Sequence, residues 1–230
     1  MNKNEGILLI NKAKDKTSFS IVSQLRKRTK ISKIGHCGTL DPFATGVMVL
    51  LLGRKFTKFC PVFSAQKKEY HAHVELGYVT KTFDTESSKE FVSSHQPSRE
   101  EVQQALKKFQ GKIEQIPPMY SAKKVNGQPL YKLARKGIEI SRTAVTIEVA
   151  VDLIAYNYPH LELYIRCSSG TYIRTIANDL GKELQCGAYL TSLTRTRSGP
   201  FLLEECIDQK ELDNLDFGLT EHILSDAHYS

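Results

Sequence analysis

The sequence predicts an α+β fold: a mixed, largely antiparallel sheet with flanking helices. Three observations point there. Apolar residues recur at every second position in several segments and at helical spacing in fewer, and the two longest alternating runs follow one another as antiparallel neighbours do. Residues 6–11 (GILLIN) read as a buried strand, and Thr17 or Ser18 caps a helix with Phe19, Val22 and Leu25 on its apolar face, ending near Thr29. Residues 47–52 form a second buried strand. Residues 69–78 alternate, with Tyr70, Ala72, Val74, Leu76 and Tyr78 on one face and His71, His73 and Glu75 on the other. Ser98 and Glu101 make a capping box ahead of Val102, Leu106 and Phe109. Residues 130–136 form a short helix stopped by Gly137. Val145 to Leu153 and Leu161 to Cys167 alternate as a strand pair, and 171–184 is a helix with Ile173, Ile176, Ala177, Leu180 and Leu184 inward. Asp208 and Glu211 mark one more helix start. Without repeats or a Pro/Gly-rich linker, residues 1–203 are expected to form one domain, followed by an acidic tail, 204–230.

The charge is unevenly spread. The 230-residue chain has 32 Lys and Arg against 25 Asp and Glu, a formal +7. Residues 204–230 hold eight acids, Asp226 the last, and one base, so the body carries +14 and the tail −7. Such a body suits a polyanion, and such a tail is expected to be solvated and dispensable. Eleven bases and a single acid, Asp41, lie within residues 16–68. Lys123, Lys124, Lys132, Arg135 and Lys136 form a second acid-free stretch, and Arg195 and Arg197 a third. Tyrosines interleave with them, as in nucleic-acid surfaces where rings stack on bases and cations neutralise phosphates; the alternative is a set of solvated cationic faces. The longest apolar run, 47–52, is too short to span a bilayer, and no secretory leader is expected. Five scattered cysteines without a C-x-x-C pair argue against a zinc site or disulfide framework and for a reducing cytosol.

Asp41 lies in GHCGTLDPFATG, residues 35–46, whose three glycines, proline and two threonines shape a loop running into the strand at Val47. A carboxylate there, among cations that favour its ionised form, suits a nucleophile; alternatively it shapes the loop as an Asx-turn with Pro42. His71 and His73 share a strand face, with no third metal ligand placed by the sequence. Cys37 reads as a small buried cysteine more readily than as a nucleophile. Arg174, in GTYIR, points away from the inward residues of its helix and can meet a carboxylate or a phosphate, or remain a surface cation. No phosphate-cradling glycine motif is present.

Four blocks in order, GILLINK with KTSFSIVSQLRK, GHCGTLDPFATG with GRKFTK, KKEY with QIPPMYSAKKVNGQPLYKLARKGIEI, and CSSGTYIRTIANDLGKELQCGAYLTSLTRTRSGPF, resemble bacterial tRNA pseudouridine-55 synthases of the TruB type. The resemblance implies the pseudouridine synthase fold and isomerisation of the T-loop uridine of tRNA, by base flipping and without guide RNA. Asp41 would be the catalytic nucleophile, Tyr70 the ring stacked on the uracil, Arg174 the partner of the aspartate, and Tyr172 and Leu193 pocket residues. His36 would occupy the space the flipped base leaves. Residues 119–142 would form an RNA-gripping thumb, with Lys123, Lys124, Arg135, Lys136 and also Arg195 on RNA. It further implies a cytoplasmic monomer acting on the tRNA T-arm, with no cofactor, metal, membrane or protein partner, in a short form lacking the C-terminal PUA module. KAKD replaces the family's K-P-x-G at residues 12–15, and Phe83-Asp84-Thr85-Glu86 is a thinned version of its acidic run.

Overall fold

The computed structural model describes residues 4–125 and 127–225. In chain order the elements are β1 (Gly6–Lys12), α1 (Ser18–Thr29), β2 (Ile34–His36), β3 (Thr45–Leu52), α2 (Arg54–Thr57), α3 (Cys60–Ala65), β4 (Lys68–Leu76), β5 (Tyr78–Thr80), β6 (Lys89–Phe91) and α4 (Arg99–Leu106). There follow β7 (Gly111–Gln115), β8 (Lys124–Val125), β9 (Gln128–Pro129), α5 (Leu130–Ala134), β10 (Val145–Asn157), β11 (His160–Cys167), α6 (Ile173–Glu183), β12 (Ala188–Ser198), β13 (Phe201–Leu202) and β14 (Ile207–Asp208). The α+β expectation holds: most strand pairs are antiparallel, and β1–β14 and β3–β12 are parallel. The chain forms two compact units, one from the segments up to Tyr70 and from Leu193 onward, the other His71–Ser192. No helix among the described residues is long and apolar enough to cross a membrane.

In the first unit the strand order is β14-β1-β3-β12, with β2 beside β3 and β13 beside β12. The run GVMVLLL is buried on both faces, which is why it reads as a block rather than an alternation. β1 pairs with it from Gly6↔Leu52 to Lys12↔Gly46. α1 starts where the Thr17 side chain accepts from Ser20 N–H, and it buries Ser18, Ile21, Val22 and Leu25. Phe19, expected in that face, is 64% exposed. At about 100° per residue it lies more than a quarter-turn off the Ile21–Val22–Leu25 stripe, and the Arg26 guanidinium covers its ring instead.

The acidic segment does not form the solvated tail expected from its charge. Ile207 and Asp208 pair in parallel with Ile10 and Asn11, and Leu224 bridges Ile7. The expected helix start at Asp208 opens only a 3₁₀ turn, Gln209–Leu212, and Leu212 and Leu219 are buried. The two terminal nitrogens of Arg28 donate to the carbonyls of Glu211 and Phe217. Few apolar side chains suffice here because backbone carbonyls and a strand pair supply the rest. Asp226, counted in the tail's charge, lies outside the described residues.

The second unit has the order β12-β4-β11-β10-β7. β10 and β11 pair antiparallel from Val149↔Cys167 to Asn157↔His160, as their alternation predicted. α4 opens with the expected capping box: Glu101 N–H donates to Ser98 Oγ and Ser98 N–H to Glu101 Oε2. Within residues 119–142, Leu130 N–H donates to Lys123 O and Tyr131 N–H to Ser121 O, folding the β8–β9 hairpin back onto α5. That helix stops where Gly137 takes a positive φ and Ile138 N–H reaches back to Leu133 O.

Candidate active site

In the first unit, residues 37–46 are held by side chains whose polar ends are buried. Ser18, 4% exposed, both donates to Leu40 O (3.0 Å) and accepts from Leu40 N–H (2.9 Å), fixing the residue before Asp41. Lys12 is fully buried, and its ammonium donates to Ala13 O at 2.9 Å, Lys16 O at 2.6 Å and Pro42 O at 3.0 Å. Asp15 N–H also donates to Pro42 O. One lysine thus ties the first loop, with its departure from K-P-x-G, to the residue after Asp41. Close by is a turn: Asp41 O accepts from Ala44 N–H at 3.1 Å across Pro42 and Phe43.

Arg195 holds the other side. It is 1% exposed, its Nε donates to Val47 O at 2.7 Å and a terminal nitrogen to Gly38 O at 3.2 Å. This corrects the expectation that Arg195 grips RNA. The guanidinium spans the two ends of the loop from beneath, and a side chain so enclosed has no phosphate-facing surface. Close approach of β12 makes Gly46 obligatory: its φ is +105°, and a Cβ there would sit 2.2 Å from Arg195 O. Thr45 and Thr194, paired in register, share a 2.9 Å hydroxyl contact.

The other residues expected at the site in the first unit are His36, Tyr70 and Leu193. Asp41 and His36 are half-buried, and Tyr70, in β4, and Leu193, in β12, are buried. Burial first, and then the Arg195 guanidinium, push the His36 imidazole below its ordinary range, against a hydrogen bond to Gly38 that opposes them. Cys37 is fully buried and burial pushes its thiol up, so it is a core residue here. Lys68, beside Tyr70, is also buried and donates to the carbonyls of Ser64 and Gln66.

In the second unit, Tyr172 caps α6 and is clasped by Gln115. Its N–H donates to Gln115 Oε1 (2.8 Å) and its carbonyl accepts from Gln115 Nε2 (3.0 Å). Of the alternatives its helical position left open, Arg174 meets a carboxylate rather than remaining a surface cation, and Arg174, Thr175 and Asn178 are buried together with the apolar stripe of α6. Its terminal nitrogens donate to Thr82 O and Tyr120 O, each at 2.8 Å, and its Nε lies 3.3 Å from Asp84 Oδ2. Asp84, 1% exposed, also accepts from Thr82 Oγ1 at 2.6 Å and Glu86 N–H at 2.9 Å. A buried guanidinium requires an anionic or carbonyl partner, and Asp84, within the shortened acidic run at residues 83–86, supplies the carboxylate. Lys124, Arg135 and Lys136 are exposed and Lys123 half-buried, and the Arg135 guanidinium lies over the Tyr131 ring at 5.6 Å.

Residues 26–173 match the N-terminal domain of the TruB family of pseudouridylate synthases, and 174–225 match the tRNA pseudouridylate synthase B C-terminal domain. The chain is 55% identical to a tRNA pseudouridine synthase B of Protochlamydia amoebophila (strain UWE25) over 208 residues, covering 90% of this chain and 79% of that one. It is 50% identical to one of Chlamydia pneumoniae over 224 residues, 97% of this chain and 95% of that one. Among solved structures it resembles a chain of a Cbf5-Nop10-Gar1 complex, at 26% identity and a TM-score of 0.73, over 93% of this chain and 55% of that chain. A chain of an H/ACA RNP bound to a substrate RNA containing 2'-deoxyuridine shares the fold, at 24% identity and a TM-score of 0.67, over 91% of this chain and 53% of that one. On these matches the chain belongs to the TruB family of pseudouridylate synthases.

Proposed function

We propose that the chain isomerises uridine to pseudouridine at position 55 in the T loop of tRNA, acting on a flipped base and without guide RNA, with Asp41 as nucleophile. The observation that carries this reading is the mounting of Asp41. It sits on a loop fixed at Leu40 by Ser18, at Pro42 by Lys12 and at both ends by Arg195. Backbone carbonyls ordered by buried cations give a carboxylate the fixed position a nucleophile requires. The names of the relatives, tRNA pseudouridine synthase B, support the substrate.

The reaction exchanges one bond for another within the nucleotide. The bond from ribose C1′ to uracil N1 breaks, the ring turns, C5 bonds to C1′, and the proton on C5 is lost while N1 gains one. No electrons leave the substrate, so the reaction has no redox demand. Extruding the base costs roughly a few kcal/mol. Stacking on Tyr70 offsets on the order of 1–3 kcal/mol of that. The family resemblance further assigns Leu193 and Tyr172 to the pocket, His36 to the vacated space in the RNA, and Arg174 to the aspartate. Lys123, Lys124, Arg135 and Lys136 neutralise phosphates of the T-arm.

The test is a tRNA transcript incubated with the purified chain alone and mapped by mass spectrometry. The expected result is pseudouridine at one T-loop position with the native chain and none with Asp41→Asn. Modification by the Asp41→Asn variant would overturn the role of Asp41, and modification elsewhere would overturn the site.

A further inference from the structure

We infer that His71, His73 and Glu162 form a surface site for a first-row divalent transition cation of the Zn²⁺ type, separate from the residues assigned to isomerisation. The strand alternation of β4 turns Ala72 and Val74 into the core and leaves His71 and His73 on the outer face. β11, the neighbouring strand, buries Leu161 and Leu163 and leaves Glu162 on its outer face. The third ligand that the sequence did not place is therefore supplied across the strand pair.

The three side chains converge. One ligand atom from each lies within 4.8 Å of the others. His71 Nε2 is 2.7 Å from Glu162 Oε1, and the His71 and His73 rings meet edge to face at 5.2 Å between centroids. Tetrahedral bonds of about 2.0–2.2 Å to nitrogen and oxygen set neighbouring ligand atoms roughly 3.3–3.5 Å apart. Binding thus needs the His71–Glu162 pair to open slightly and the His73 ring to close in. Both moves are available, because His71 and Glu162 are only half-buried and His73 is exposed. The cation takes the place of the direct contact between Nε2 and the carboxylate, and water completes the coordination. Two imidazoles with one carboxylate favour Zn²⁺-like ions over Mg²⁺ or Ca²⁺, which select all-oxygen sets. A bound ion joins β4 to β11 and stabilises the folded chain by mass action.

Titration of the full chain with Zn²⁺ alone, followed by calorimetry and thermal melting, tests the inference. One equivalent is expected to bind and to raise the melting temperature. His73→Ala, which leaves the His71–Glu162 pair intact, is expected to weaken binding by about tenfold or more, since loss of even an outer partner of a ligand costs about that much. Glu162→Gln is expected to weaken it likewise. Co²⁺ provides the second readout: an imidazole–carboxylate set gives d–d absorption without a thiolate charge-transfer band. Absence of binding, unchanged affinity in His73→Ala, or a thiolate band that places the ion on a cysteine would each overturn the site.

Discussion

The cations of the loop that carries Asp41 and those of residues 119–142 count equally in the net charge, yet they do opposite things. Around the loop, Lys12 and Arg195 are buried and spend their N–H groups on backbone carbonyls, as Lys68 does next to Tyr70. Within residues 119–142, Lys124, Arg135 and Lys136 stand in solvent. Buried cations are costly unless fully hydrogen-bonded, so a chain that keeps them is using them to fix irregular backbone. Exposed cations leave their N–H groups available to phosphate. The basic clusters in the sequence are therefore mixtures of buried scaffold charge and exposed charge, and burial separates the two.

The largest expected effect follows from Arg28, a cation of the first basic cluster that is spent on the C-terminal segment. Truncation after Cys206 removes the acceptors of Arg28, the β14 pairing, and the burial of Leu212 and Leu219. Two buried leucines alone are worth roughly 3–6 kcal/mol. Urea unfolding should show a loss of that order or no folded protein at all. A truncated chain of native stability would return the segment to the solvated role its charge suggested.

Next comes Arg195→Met, which keeps bulk and removes the donors to Val47 O and Gly38 O. Buried carbonyls left without donors cost about 1–3 kcal/mol each. A stability loss of that size should accompany a fall in single-turnover rate, because the loop that positions Asp41 loosens. The thumb should behave in the opposite way. Exchanging Lys124, Arg135 and Lys136 for Gln should shift stability by no more than about 0.5 kcal/mol. It should reduce the slope of log affinity for tRNA against log salt by roughly 2–3, for three lost phosphate contacts. If the thumb variant lost stability, or Arg195→Met lost only salt dependence, the division between the two sets would fail.

The division explains what was legible in the sequence. Strands and helices with a strict period could be read directly: β10 with β11, the α4 capping box, and the stop at Gly137. The loop itself was also legible, because three glycines and a proline in twelve residues break any regular period. Residues whose role depends on tertiary neighbours were not. Arg195 and Arg174 lie in polar-looking segments, and nothing local says that a neighbouring strand or helix will enclose them. Asp84 became intelligible only as the partner of a buried guanidinium. The C-terminal segment misled because net charge outweighed two leucines and a strand pair in the reading.

The smallest expected effect links Arg195 to pH. Burial and the Arg195 charge hold the His36 imidazole below its ordinary value of 6.5, so the unfolded chain takes up a proton more readily than the folded one. Falling pH then favours unfolding through a window that begins near 6.5 and ends at the lowered folded value. The contribution of His36 to the slope cannot exceed about 1.4 kcal/mol per pH unit. His36→Gln should flatten the acid side of the stability curve measured by urea unfolding between pH 7 and about 5. Subtracting the variant from the native chain removes the other histidines common to both. The same subtraction in an Arg195→Met background should give a smaller difference, because only burial then disfavours the imidazolium. An equal difference in both backgrounds would mean that Arg195 acts on the loop through its hydrogen bonds alone, and that its charge is neutralised where it stands.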